Sequence, residues 1–299
     1  MEPLTELLSV VAFGLLLGGI YGLVGIGVNL IFGVVCIVNF AHGELIMVSM
    51  YLAYYLNHQF GLSPYLAILV VTPAMFLLGA AVQRLIMQPL QSEPMMQMFA
   101  TFGLLMILQN SVLAITRGEA LNVVSPVAAE VVSLGGVRLG LGRLLVFAAS
   151  TALTLGLYYF LQFTMPGKAI RALTQDRRAA HGMGINVERT YVLTFGIGAA
   201  LTGIGGAMLS PIYTLSPEIG QDFILAAFAV VVLGGLGSVW GAYIGGLAIG
   251  IIEALAGFYV DPALKSAIWF AVFVVVLIVR PAGLLGQAGA AEVGFREQR

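Results

Sequence analysis

The chain is 299 residues long, 60% hydrophobic and only 9% charged, with a formal net charge of −1. Soluble domains carry roughly 25% charged residues, so this composition, with a mean hydropathy of +1.02, excludes a water-soluble globular protein. The single cysteine, Cys36, excludes an internal disulfide and any site built from several thiolates; in an apolar run it is expected to be a small core residue.

Taken in order, the apolar runs predict an all-α integral membrane protein of about eight to nine transmembrane helices, since a crossing needs about 20 apolar residues. Residues 1–6 hold acids and no basic residue, and the run that follows is too long for a cleavable leader, so none is expected. The first span is 7–32, with glycines at 14, 18, 19, 22, 25 and 27 that let helix backbones approach closely. A break over 33–43 leads to a second span at 44–56, a polar turn at 57–64 and a third span at 65–82. The segment 88–94, with two prolines, precedes a fourth span at 97–115. A long polar connection, 116–142, separates it from the fifth span at 144–165. The sixth span is 191–213. The run 223–252 is too long for one straight crossing and is broken by Gly234-Gly235-Leu236-Gly237-Ser238; 264–279 is the last span, ended by Arg280-Pro281.

Charge is concentrated between the fifth and sixth spans. Lys168, Arg171, Arg177, Arg178 and Arg189 face only Asp176 and Glu188 there. Together with Arg84, Arg280, Arg296 and Arg299 they place nine of the thirteen basic residues on one side, which is therefore cytoplasmic. The N-terminus is then outside and the C-terminus inside. Within the basic stretch, 168–181 reads as one amphipathic helix with Ile170, Leu173 and Ala180 on one face and Arg171, Gln175 and Arg178 on another, stopped by Gly182 and Gly184. Such a helix could lie on anionic lipid. The small Ala179-Ala180 pair before a glycine turn fits docking on another protein better.

Few groups elsewhere could carry chemistry. Asn39, His42 and Glu44 lie in the first break, where polar groups at membrane depth point to a pathway or, more simply, to a capped helix start with Glu44 in the first turn. Two ligands do not make a metal site. Gln109 and Asn110 lie inside the fourth span, and Asn29 in the first; they are expected to bond across helices, with a pathway role as the alternative. Glu253, near Asp261, is expected to be solvated. No nucleophile, base and oxyanion donor come together, so the chain is not expected to be an enzyme.

An ordered set of motifs then carries a resemblance over nearly the whole chain. These are Asn29-Leu-Ile-Phe-Gly-Val, Val38-Asn-Phe-Ala-His-Gly-Glu, Gln88-Pro-Leu, Thr101-Phe-Gly and Gly167-Lys-Ala-Ile-Arg-Ala, then Gly184-Ile-Asn-Val, Val232-Leu-Gly-Gly-Leu-Gly-Ser and Arg280-Pro-Ala-Gly-Leu-Leu-Gly. The sequence resembles the permease subunits of ABC importers of the branched-chain amino acid type, specifically the H-type of the two permeases. The resemblance implies a single permease domain over 1–299, a cytoplasmic coupling-helix loop at 166–190 and a cytoplasmic tail at 287–299. It assigns ATPase coupling to Lys168, Arg171, Asp176, Arg178, Ala179, Ala180 and Gly184. Where importers carry a Glu-Ala-Ala…Gly signature, this chain has Arg178-Ala179-Ala180 followed by Gly184, with no Leu-Pro after it. Gln91 departs in the same way from an Arg common in the family.

The implied partners are a second related permease, two cytoplasmic ABC ATPases, a periplasmic binding protein delivering substrate to 116–142 and 214–222, and membrane lipid, but no nucleic acid. ATP and Mg would be bound by the ATPases, because this chain has no phosphate loop and no cofactor of its own. The implied location is a bacterial inner membrane, and the implied substrate an amino acid of the Leu/Ile/Val type. Urea, amides or other amino acids are the alternatives within the class. An ion-coupled transporter would want an acid or unwound helix at the midplane, for which Glu44 and 234–238 are the candidates.

Overall fold

The fold was described from a computed structural model, which describes residues 2–134, 137–280 and 283–285. The tail expected at 287–299, with Arg296 and Arg299, and residues 281, 282 and 286 of the final Arg280–Gly286 motif lie outside the described residues.

The chain folds as α1 (Glu2–Val35), α2 (His42–Phe60), α3 (Pro64–Val82), α4 (Pro94–Thr116), α5 (Pro126–Ala129), a hairpin of β1 (Val131–Leu134) and β2 (Val137–Gly140), α6 (Leu141–Phe163), α7 (Met165–Gln175), α8 (Arg177–Gly182), α9 (Val187–Leu209), α10 (Ile219–Gly234), α11 (Val239–Tyr259) and α12 (Lys265–Val279). Among the described residues six helices are long and apolar enough to cross a membrane: α1, α3 with its extension to Leu90, α4, α6, α9 and α11; α10 and α12 are shorter apolar helices.

Local chemistry sets the boundaries. Ser63 caps α3 by accepting from Leu66 N–H, and Pro64 follows in the first turn, where a missing N–H costs nothing. α2 ends at Gly61 with φ of 65°, a left-handed position that glycine occupies without strain. After α3 the chain continues through a π turn and a 3₁₀ turn to Leu90.

α1 is the central post, with α6, α9, α10 and α11 packed around it. Its seam with α11 depends on glycine: a methyl on Gly246 would overlap the backbone of Gly22, and one on Gly250 the backbone of Gly18. In lipid no hydrophobic effect operates between helices, so close backbone approach is what binds them. α3 meets α9 in the same way, through Gly79 against Ala199 and Phe195.

Two expectations are corrected here. Cys36 is exposed and has φ of 57°, because the chain reverses there directly after α1. The basic stretch is two helices rather than one: Asp176 is extended, at φ −157°, and its carboxylate accepts from Ala179 N–H at 2.9 Å to start α8. The connection 116–142 holds α5 and the antiparallel hairpin, in register Val131↔Gly140.

Candidate functional site

Two helices begin inside the bundle. After Val35 the chain turns back, and α2 starts at His42, whose Nε2 lies 2.8 Å from Thr202 Oγ1 of α9 and packs against Gly27 of α1. Gly27 is about 12 Å up the helix from Val35 at 1.5 Å per residue. The first turn of α10 meets the first turn of α2 there: a methyl on Gly43 would overlap the Gly220 carbonyl, and one on Gly220 would lie 3.0 Å from Glu44 Cδ. Irregular backbone at membrane depth occurs where it is buried in protein or lines a cavity.

The three polar residues of this break are all buried. Asn39 Oδ1 accepts from Ala41 N–H at 3.1 Å, so the expected local capping is met in part. Asn39 Nδ2, His42 Nδ1 and both Glu44 carboxylate oxygens have no hydrogen-bond partner among the described residues. Beside them Phe40 packs against Phe102 and Phe228, with ring centroids 6.5 and 6.2 Å apart, and its N–H donates to Thr101 Oγ1 at 3.3 Å. Thr202, Thr101, Phe228 and Gly220 are not legible as site residues in the sequence. Each comes from a distant segment, and small or apolar residues in an apolar helix give no local signal.

The basic face holds a cavity of about 1450 Å³ between the inner end of α1, the segment around Gln91, α7–α8 and the α10–α11 turn; Cys36, Arg171, Arg177, Arg178 and His181 line it. α7 and α8 are anchored from below: Ile170, Leu173 and Ala180 are buried. Arg178, Ala179, Asp176, Gly184 and Lys168 are exposed, and Arg171, half-buried, donates to Gln162. Of the small pair only Ala179 is therefore available to a partner; Ala180 is a core residue. Gly184, at φ 86°, closes α8, and Ile185 N–H reaches back to the Ala180 carbonyl at 3.1 Å. Gln88 Nε2 donates to Glu188 at 2.8 Å and Arg177 to Gln91 at 3.4 Å, so the α3–α4 connection and the basic loop share one face.

At the opposite end the two long connections pair with each other. Leu121 and Leu215 exchange backbone hydrogen bonds at 3.0 and 2.8 Å, and Thr214 Oγ1 donates to Asn122 Oδ1 at 2.9 Å.

Other expectations change. Glu253 is buried rather than solvated: it accepts from the Tyr21 hydroxyl at 2.6 Å and pairs with Lys265 at 3.2 Å. Asn110 is exposed and donates to the Met106 carbonyl of its own helix, so it makes no bond across the bundle. Gln109 is half-buried. Both lie on α4, the least buried of the candidate spans. Asn29 does bond across helices, to the α10–α11 turn.

A bundle of apolar helices in which two helices begin in the interior, with a basic helix pair on one face, defines an all-α multi-pass membrane permease. The chain belongs to the family described as "Branched-chain amino acid transport system / permease component", whose model matches residues 10–277. It is 31% identical to the high-affinity branched-chain amino acid transport system permease protein LivH of Escherichia coli, over 92% of this chain and 94% of that one. It is 30% identical to BraD of Pseudomonas aeruginosa, a permease protein of the same description, over 96% and 98%. To the probable branched-chain amino acid transport permease protein LivH of Methanocaldococcus jannaschii it is 28% identical, over 88% of each chain. No solved structure matches the chain.

Proposed function

We propose that this chain is one of two permease subunits of an ATP-driven importer in a bacterial inner membrane, and forms half of the pathway for branched-chain amino acids. Two cytoplasmic ATPases bind ATP and Mg and drive the cycle, and a periplasmic binding protein delivers substrate to the paired outer connections 116–142 and 214–222. Nine helices cross: α1, α2, α3, α4, α6, α9, α10, α11 and α12, with α10 and α11 the two parts of the glycine-broken run. The N-terminus is then outside and the basic face cytoplasmic. The break that carries Asn39, His42 and Glu44 belongs to the pathway; Gln109 and Asn110, on the outer face of α4, are the further pathway candidates. The loop 166–190 couples to the ATPases through Lys168, Arg171, Asp176, Arg178 and Ala179, with Ala180 and Gly184 shaping the helix that presents them.

The observation that supports this reading best is the arrangement of α7 and α8. Their apolar residues Ile170, Leu173 and Ala180 are sunk into the bundle core, while Arg178 and Ala179 point outward. A push on this pair is therefore transmitted to packed helices rather than absorbed by a floppy loop. The test is Ala179→Glu in the assembled transporter. ATP-driven leucine uptake is lost while the chain stays in the membrane with its partner permease; uptake equal to wild type would overturn the coupling role.

A further inference from the structure

The α2–α10 junction brings together a buried carboxyl group that has no hydrogen-bond partner among the described residues and the first turns of two helices. Glu44 has no exposed surface, and it forms neither a hydrogen bond nor an ion pair among the described residues. A carboxyl group enclosed in protein stays ionised only where a cation or donors compensate it. His42 does not supply them: its Nε2 is engaged by Thr202, and its Nδ1 makes no hydrogen bond among the described residues. The carboxyl end of Glu44 lies against Gly220, where an added methyl would come within 3.0 Å of Glu44 Cδ.

Donors for an anion are gathered at the same point. Helix first turns carry N–H groups without intrahelical partners, and α2 and α10 both begin here. The N–H groups of His42, Ile219 and Gln221 donate to the Asn39, Ser216 and Glu218 carbonyls, and those of Gly43, Glu44 and Gly220 are the ones left to an anion. Asn39 Nδ2 is a further unpartnered donor, on a buried side chain. The break also holds an apolar surface, Phe40 with Phe102 and Phe228, and Phe102 is 48% exposed. An acceptor for an ammonium group, donors for a carboxylate and an aromatic wall are the three complements of a zwitterionic α-amino acid with an apolar side chain. Half-helix N-termini facing a substrate carboxylate are an established transporter device. The Gly43–Gly220 contact leaves no room for a ligand, so the junction is closed here.

We propose that the α2–α10 junction is the gate of the pathway, and that Glu44 receives the ammonium group of an α-amino acid when Gly43 and Gly220 part. This rests on the proposed function. It goes beyond it in naming the residue that meets the charged end of the substrate. Asn39 and the first-turn amides take the carboxylate, and the Phe40 cluster takes the side chain.

The experiment uses the complete transporter in vesicles, with its ATPases, second permease and binding protein, and reads leucine uptake and ATP hydrolysis together in wild type, Glu44→Gln and Glu44→Asp. Loss of a charge partner from a closed site predicts that Glu44→Gln loses uptake by about tenfold or more, while hydrolysis stimulated by loaded binding protein persists; Glu44→Asp keeps more uptake than Glu44→Gln. Wild-type uptake by Glu44→Gln overturns the role of Glu44, as does parallel loss of uptake and hydrolysis. A wild-type complex that imports no amino acid overturns the functional reading itself, which separates the two failures. A second measurement does not depend on Glu44: Asn39→Cys in a Cys36→Ser background, treated with a cationic methanethiosulfonate during ATP turnover. Labelling that leucine slows supports a gate that opens onto Asn39, and no labelling in any nucleotide state overturns it.

Discussion

Asn29 and Gly237 are joined across the bundle: the Asn29 Oδ1 accepts the Gly237 N–H at 2.7 Å, and its Nδ2 donates to the adjoining Ser238 carbonyl at 2.5 Å. One amide from α1 thus satisfies two backbone groups of the α10–α11 turn. Gly235 and Gly237 adopt φ of 109° and 81° there, conformations glycine tolerates; the Gly237 N–H depends on Asn29, whereas the Ser238 carbonyl also accepts from Ala242 N–H at 2.9 Å. Leaving a buried polar group unpaired costs about 1–3 kcal/mol. Asn29→Leu, close in shape and unable to bond, leaves the Gly237 N–H unpaired and is expected to destabilise the purified protein by about 1–3 kcal/mol. Asn29→Asp retains the acceptor for the Gly237 N–H but sets a carboxyl oxygen against the Ser238 carbonyl in place of the donor. Thermal unfolding in detergent checks the order of the two variants.

The contact of Tyr21 with Glu253 yields a graded expectation. Glu253 is held from two sides, but Lys265 is half exposed while Tyr21 is mostly enclosed. Exposed partners contribute little, about 0–1 kcal/mol, whereas a hydrogen bond to a buried charge contributes about 1.5–3 kcal/mol. Tyr21→Phe should therefore lower stability more than Lys265→Ala, and Glu253→Gln should remove the dependence on Lys265. A double-mutant cycle on thermal stability tests this, and equal effects of the two single variants would contradict it.

Glycines divide sharply by their surroundings. A methyl on Gly250 overlaps Gly18, but Gly156 on α6 has nothing within 4 Å of the added atom. Gly250→Ala is expected to force α11 off α1 and to reduce the yield of folded protein severalfold. Gly156→Ala should be neutral or raise stability by about 0.5–1 kcal/mol, the usual gain from removing glycine inside a helix. Fluorescence-detected size exclusion of the detergent extract distinguishes the two.

Cys36 offers a direct reading of orientation. It is the single cysteine of the chain, it is exposed, and it lines the cavity beside Arg177 and Arg178. A membrane-impermeant maleimide should label it in inverted vesicles and leave it unlabelled in sealed right-side-out vesicles. Labelling only in the second preparation would reverse the orientation derived from the basic residues.

The sequence alone determined the class of the molecule and most of its helices. Runs such as 65–82 and 97–115 are uncharged and about as long as a bilayer is thick, and burial in hydrocarbon leaves such a run no option but a helix. The ordered motifs determined the family, and Asn29 was legible as a cross-helix residue because an amide inside an apolar run must find a partner. Tertiary structure decided which polar groups are paired and which are not. Glu253 looks like a solvated end until Tyr21, 232 positions away, closes over it. Asn110 looks like an interior amide until the position of α4 turns it outward. Glu44 reads as an ordinary first-turn acid, and only the approach of Gly220, brought in by α10, makes it a buried carboxyl group without a partner among the described residues. Periodicity and composition are properties of neighbours in sequence. The electrostatic state of a side chain belongs to neighbours in space, and those are set by how the glycine seams let the helices meet.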